Sequence, residues 1–373
     1  PTCNAQLKSM PYIRPAGFSP ERGESVEKWD DEQEISYAST PQLPVPNQDE
    51  ESSLSFIPLN AQGRIQYVYT ADKELIVLNR GTDKKSGFDM CGECGSIQPV
   101  DPYDHKVRAS HNKPFLTTNG EYTCRGKMHS VYLGNQFVTD LLLIRLHIDD
   151  ALHFNPHSSN TWLNAALDSL GEAIVLAASR VLDIDVQELV AGHRILTENG
   201  KHYADLFVFD SLSGGAGYSY EAGEKIYTIL DEALLMLNHC DANCQSSCYK
   251  CLRHYKNQMK HHTLNRFLAQ ELLLYLKDGE LKRYTIEEQE RYLKPLVRIC
   301  EILKHPVEGK IVGNQYMLMT SDGTRVLLRN NIEKPSENAS VLYFSPYEIS
   351  FDLQNVALLV TGQTRTNSIQ TNP

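Results

Sequence analysis

The chain has 373 residues, 36 basic against 47 acidic, for a formal charge of −11. That balance argues against a protein that coats nucleic acid non-specifically, although a local basic surface stays compatible with it. The length accommodates two or three cores of ordinary domain size, and no apolar run in the sequence approaches bilayer-spanning length.

The sequence opens Pro1-Thr2-Cys3, with neither a basic n-region nor an apolar h-region. Opening in mid-pattern without Met, it reads as a piece of something longer. The nine cysteines bunch at two- and three-residue gaps, a pattern of metal thiolates in a reducing compartment more than of disulfides. Cys3 and Cys300 stand apart as unpaired thiols. A cytoplasmic protein with no membrane partner is expected.

In chain order, residues 1–53 read as an extended Pro-rich arm draped over another surface. Strand signals follow at Ser55–Leu59, Ile65–Tyr69 and Glu74–Leu78. A Cys/His-containing loop region leads to a strand or strand–helix run, 131–142. A long helix is expected from Ser159 or Asn160 to about Leu182, with Leu163, Ala166, Leu167, Leu170, Ile174 and Ala177 on its apolar face. Ile195-Leu196 and Tyr203–Phe209 form a hairpin through Asn199-Gly200. A helix over about 220–237 enters a cysteine cluster, and 264–276 is helical again. Thr285 and Glu288 make a capping box that opens a helix to about Leu303, with a kink at Pro295. The remaining strand signals are 310–319, 325–329, 341–344 and 356–361. The fold class is α+β: mixed helices and short sheets stabilised by metal sites, followed by a small helix plus β-rich tail domain. The segments are 1–53, 54–158, 159–280 and 281–373.

Cys240, Cys244, Cys248 and Cys251 follow a C-x3-C-x3-C-x2-C spacing at a helix end. Four thiolates suit tetrahedral zinc and leave no position for water, so the site is structural and not hydrolytic. An iron–sulfur cluster on the same ligands, or four buried thiols, are the alternatives. Cys91 and Cys94 form a C-x2-C knuckle, and Cys124 supplies a third thiolate. The fourth ligand lies among His105, His111 and His129. His111 is preferred, because it stands between the knuckle and Cys124, and His129 is second. A knuckle that has lost its metal is the other reading.

Between Cys244 and Gln270 no acidic residue occurs. Lys250, Arg253, Lys256, Lys260 and Arg266, interleaved with Tyr249 and Tyr255, form a candidate phosphate-contacting and base-stacking face. A solvated helix face balancing acidic neighbours or the zinc tetrathiolate is the alternative. Gly214-Gly215-Ala216-Gly217 lacks a P-loop's lysine and a dinucleotide fingerprint's spacing, and reads as a tight turn capped by Asp210. A phosphodiester-cleaving site on Asp140, Asp205 or Asp210 is the least favoured reading. Without Walker, HExxH or GxSxG patterns the chain is not expected to be an enzyme on its own.

An ordered set of motifs carries a family resemblance. It comprises Tyr12-Ile13-Arg14-Pro15-Ala16-Gly17-Phe18, Leu78-Asn79-Arg80-Gly81, and Gly87-Phe88 before Cys91 and Cys94. Leu133-Gly134-Asn135-Gln136-Phe137-Val138-Thr139-Asp140, then Phe209-Asp210 with Gly214–Gly217, the four-cysteine cluster and Asn265 complete it. This set, over about residues 10–278, resembles the C-terminal zinc-binding (MZB) region of MrfA-type DEAD/DEAH-box helicases, as found in proteins of bacterial anti-phage systems such as DISARM and Druantia. Ser213 stands where the family usually has Pro, and Asn135 where His is common; neither touches a metal ligand. The tail after residue 280 resembles nothing in that family. The resemblance implies a zinc-binding helicase accessory region that supports single-stranded DNA engagement. Its other implied partner is a RecA-like motor, in the same polypeptide or in a partner subunit. A purely structural docking scaffold is the alternative.

Overall fold

The structure, a computed structural model, describes residues 11–15, 41–44, 54–81, 86–100, 110–115, 120, 122–156, 158–336 and 340–362. Cys3, His105, Ala16-Gly17-Phe18 and most of the N-terminal arm lie outside the described residues. The fold is α+β. Two units emerge: residues 1–54, 69–141 and 209–219 form the first, and residues 55–68, 142–208 and 220–373 form the second. No helix among the described residues is long and apolar enough to cross a membrane.

Short strands β1 (Tyr12–Ile13) and β2 (Ile57–Pro58) precede a long β3 (Ile65–Asn79). The sequence splits β3 into two strands, but the backbone carries pairing through the polar middle. Asp72 sits there at φ 53°, its amide donating to Asp140 Oδ1 at 3.1 Å. The small strands β4 (Phe88–Cys91), β5 (Ile97–Pro99), β6 (His111–Asn112) and β7 (Thr123–Cys124) follow. The run expected to be strand or strand–helix is one 21-residue strand, β8 (Met128–Ile148). The hairpin β9 (Leu189–Glu198) and β10 (Lys201–Asp210) turns at Asn199-Gly200, both at positive φ. The sheet order is β2-β3-β8-β10-β9. From the N-terminal arm, β1 adds in parallel to β8, Tyr12 opposite Tyr132.

In the second unit, α1 (Thr161–Leu182) is the central helix. All six apolar positions read from its sequence are buried. Burying each large aliphatic there contributes about 1.5–3 kcal/mol. Its N-cap residue Asn160 makes no side-chain cap. Asn160 is left-handed, and its amide instead bonds Asn155 and Ser158, ordering the approach loop. The next expected helix is broken at Lys225 into α2 (Tyr218–Glu224) and α3 (Ile226–Asn238). After the cysteine cluster comes α4 (Arg266–Asp278), capped by Asn265 Oδ1 on the amides of Phe267 and Leu268 and closed by left-handed Gly279. Helix α1 packs against α3, α4 and β9.

The tail belongs to the second unit. Helix α5 (Ile286–Ile302) opens with the Thr285/Glu288 capping box and contains Pro295. It packs on the sheet β11 (Glu308–Val312), β12 (Gln315–Met319), β13 (Arg325–Leu328) and β14 (Val341–Phe344). Strands β13 and β14 pair in parallel. The chain then enters α6 (Pro346–Phe351) and α7 (Leu353–Val360). The last expected strand, 356–361, is therefore helical. Val356, Ala357 and Val360 recur at helical spacing and pack on Leu293, Leu296 and Cys300, overriding their β propensity.

Candidate metal centres and the adjoining basic face

The four-cysteine cluster begins where α3 ends. Left-handed Asn243 turns the chain back, its amide on Cys240 O at 2.8 Å. A second knuckle forms at Cys248, whose carbonyl accepts from the amides of Cys251, Leu252 and Arg253 at 3.0–3.1 Å. The sulfurs of Cys240 and Cys248 lie 3.5 Å apart, those of Cys244 and Cys251 3.6 Å, and those of Cys248 and Cys251 3.8 Å. A disulfide needs about 2.05 Å, so these thiols are unbonded. A tetrahedron with arms of about 2.3 Å has edges of about 3.8 Å, which the observed set approaches.

The electrostatics favour a cation among these sulfurs. Against the cost of burial, the amides of Cys244 and Ala242 bring Cys240 down to about 7. Burial, with Cys244 and Cys240 beside it, pushes Cys251 up to about 12. One thiolate forms only at its neighbours' expense; a dication lets all four ionise. The donor set and geometry fit structural zinc, which cross-links the loop.

The other cysteine group forms in the first unit. Strand β4 delivers Cys91 into a tight turn, with Cys91 N on Ser96 O at 2.9 Å and Gly95 N on Cys91 O at 3.1 Å. Strands β6 and β7 pair His111 directly with Cys124. The Sγ atoms of Cys91 and Cys124 are 3.8 Å apart, and Cys94 Sγ lies 3.2 Å from His111 Nε2. All four donors lie within 4.8 Å of one another. Amides of Glu93 and Cys94 donate to Cys91 Sγ, and that of Gly126 to Cys124 Sγ. The Cys94 amide leads in bringing Cys91 down to about 6. A Cβ on Gly126 would lie 2.6 Å from Cys91 Sγ, so only glycine brings the backbone this close. His129, by contrast, is exposed on β8 opposite Met90; its ring lies beside Gly92 of the knuckle but is not among the four converging donors. Among the described residues these two groups are the ones with metal-ligand spacing.

The basic stretch divides in three dimensions. Tyr249 and Tyr255 are 68 % and 72 % exposed, and Lys250 and Lys256 are exposed beside them. Arg253 is half-buried, its Nε donating to Ser247 Oγ at 2.9 Å. Lys260 turns inward to Glu172 at 3.3 Å and Asp168 at 3.5 Å. Arg266 departs furthest from the sequence reading, because it is buried. Its guanidinium donates to Leu237 O at 2.8 Å, Asn238 O at 3.4 Å and Cys244 O at 3.3 Å, and lies 4.0 Å over the Phe267 ring. These carbonyls end α3 and begin the zinc loop, where backbone acceptors lack helical partners. Arg266 is thus a helix cap and not a surface cation.

The carboxylates considered for phosphodiester chemistry are committed elsewhere. Asp205 is buried between Arg145 and Arg194, at 2.8 and 2.9 Å. Asp210 accepts from the amides of Ala216, Gly217 and Ser219, which makes the glycine loop a capped turn. Sequence reasoning missed a polar network beneath the zinc loop. Glu172 on α1 binds His254 Nε2 and Asn257 Nδ2, both at 3.0 Å. The signal was Asn164, Asp168 and Glu172 at four-residue spacing, a polar stripe on a buried helix.

Residues 170–252 match the MrfA zinc-binding domain family. Over 294 residues the chain is 35 % identical to the Druantia protein DruE of Escherichia coli (strain UMEA 4076-1), an alignment covering 76 % of this chain and 16 % of that protein. The chain thus spans about a sixth of that relative's length. Among solved structures, the DUF1998 helicase MrfA bound to DNA is similar at 15 % identity and a TM-score of 0.35, over 64 % of this chain and 24 % of that one. The same helicase bound to DNA and AMPPNP gives 12 % and 0.24, over 53 % and 21 %. Residues 170–252, running from α1 through the four-cysteine cluster, thus match the MrfA zinc-binding domain, and these similarities support a helicase-associated zinc domain.

Proposed function

We propose that the chain is the zinc-braced accessory region of a bacterial anti-phage helicase, which engages single-stranded DNA and docks against the ATPase motor. It works in the cytoplasm and catalyses nothing on its own, the motor lying in the same polypeptide or in a partner subunit. Cys240, Cys244, Cys248 and Cys251 hold one zinc, and Cys91, Cys94, Cys124 and His111 hold a second. The observation that carries the DNA reading is the pair of exposed tyrosines beside Lys250 and Lys256, at the four-cysteine site of an acidic chain. Aromatic faces stack on unpaired bases, and lysines meet the phosphates. Arg253 stands beside them as a brace of the zinc loop.

Anisotropy of fluorescein-labelled single-stranded and duplex DNA, at low and moderate salt, tests this reading. Single-strand binding that fades with salt and weakens in Lys250→Glu and Lys256→Glu is expected. Equal binding by both variants overturns the DNA role. A second reading, a docking scaffold without DNA affinity, draws on the outward face of α3, where Tyr227 and Leu235 are 58 % and 55 % exposed. Flat anisotropy traces together with a stable complex with a motor protein would favour it.

A further inference from the structure

We infer that Glu172 is a positioning residue that sets both exposed tyrosines of the zinc face from beneath. The inference rests on the DNA reading above for its consequence, but not for its geometry. Glu172 is buried in the middle of α1, where an apolar side chain serves packing better. Its Oε2 accepts from His254 Nε2 and Asn257 Nδ2, and its Oε1 faces Lys260 Nζ.

Two short relays lead outward from these bonds. Asn257 Oδ1 accepts from His261 Nε2 at 2.8 Å, and the His261 ring meets Tyr249 edge-on at 5.4 Å and 87°. Asn257 Oδ1 also accepts from the His254 amide at 2.9 Å, and its Nδ2 donates to Leu252 O at 2.9 Å. This clamps the chain on either side of Arg253 and starts the 3-10 helix Tyr255–Lys260. Tyr255 is the first residue of that helix. Each tyrosine is therefore a few contacts from one buried carboxylate.

Lys260 extends the network to Asp168, which lies 3.5 Å from His193 Nδ1 on β9. The anchor thus spans helix, hairpin and zinc loop within one unit. Burial alone would raise the Glu172 carboxyl. The hydrogen bond from His254, with Lys260 and Asn257, outweighs it and holds the group below the ordinary range. Glu172 is therefore ionised, and it serves these partners as an acceptor.

The test compares Glu172→Ala, Glu172→Gln and His261→Ala in the full chain. Readouts are zinc content, melting and anisotropy on a fluorescein-labelled oligothymidylate. Freely moving tyrosines lose part of their stacking, so about tenfold weaker binding is expected for Glu172→Ala with zinc retained. Glu172→Gln keeps an acceptor for His254 and Asn257 and is expected to recover most of the affinity. Adding Glu172→Ala to Tyr249→Ala/Tyr255→Ala is expected to cost nothing further, which a merely structural role does not produce. His261→Ala, which leaves the buried charges intact, removes the ring that meets Tyr249 along with its bonds to Asn257 Oδ1 and His254 O, and is expected to weaken binding about fivefold. Unchanged affinity in Glu172→Ala, or in His261→Ala should the first not fold, overturns the inference. So does a further tenfold loss on top of the tyrosine substitutions. If the wild-type chain does not bind, the DNA role falls, and hydrogen exchange decides the positioning. Faster exchange at residues 254–261 in Glu172→Ala but not Glu172→Gln supports it, and unaltered exchange refutes it.

Discussion

Replacing Arg266 by alanine tests whether the guanidinium is a cap or a contact. The side chain makes one strong hydrogen bond, 2.8 Å to Leu237 O, and longer ones to Asn238 O and Cys244 O. A charged hydrogen bond of this kind is worth about 1.5–3 kcal/mol, and a cation over a ring adds about 0.5–1 kcal/mol. With the long bonds discounted, the expected loss is about 3 kcal/mol. In a unit of this size that lowers the melting temperature by about 6–12 °C. A surface cation in its place would cost less than about 0.5 kcal/mol. Thermal unfolding followed by circular dichroism, with zinc release recorded by a chromophoric chelator, reads both effects. The alanine variant is expected to melt early and to release zinc faster, because the same guanidinium ties Cys244 to the end of α3. Per folded molecule, its DNA affinity is expected to match wild type. A variant that melts normally but binds single strands weakly would refute the cap and return Arg266 to the DNA face.

Two further substitutions probe the frame. Cys248→Ser removes one zinc ligand from a loop with little core of its own, so lowered solubility and early melting are expected before any specific defect. A soluble variant with a wild-type melting curve would contradict the structural role of the metal. In the glycine loop, Gly214 and Gly215 both have positive φ, but only at Gly215 would a Cβ meet Asp140 Oδ2, at 2.7 Å. Gly214→Ala is expected to cost about 1–2 kcal/mol in urea unfolding, and Gly215→Ala clearly more; equal costs would remove Asp140 from the account.

What the sequence made legible is mostly local. Hairpin turn, capping box, helix α1 and the four-cysteine cluster are set by residues a few positions apart. Their chemistry needs no knowledge of distant chain. The second group spans 33 residues, and its sequence leaves three candidate histidines; pairing of β6 with β7 brings His111, the preferred one, beside Cys124. The failures share the opposite cause. Residues 356–361 have strand propensity but face a core built by α5, so the helical spacing of Val356, Ala357 and Val360 wins. Strand β3 spans a polar interruption because Asp72 finds Asp140, 68 residues later in the chain. Arg266 and Lys260 looked like surface cations because their acceptors lie 22 to 92 residues away.

The division of the basic stretch has a measurable consequence. Counted along the sequence, Lys250, Arg253, Lys256, Lys260 and Arg266 offer five cations to a nucleic acid. In the fold, Arg266 caps α3, Lys260 neutralises Glu172 and Asp168, and Arg253 holds Ser247. Moving any of these to a phosphate would leave a buried group unpaired, a larger loss than one exposed phosphate contact returns. Lys250 and Lys256 have no tie of this sort: their side chains are exposed and make no ion pair among the described residues. Each phosphate neutralised on a single strand contributes about −0.7 to the slope of log affinity against log salt. Two lysines therefore predict a slope of about −1.4, whereas five cations predict about −3.5. Tyrosine stacking is largely insensitive to salt, so affinity should persist at ionic strengths that abolish a purely electrostatic complex. A titration between 50 and 300 mM salt separates the two slopes. A value near the steeper one would mean that the inward-turned cations swing out on binding, and the zinc face would then be remodelled by DNA and not preformed for it.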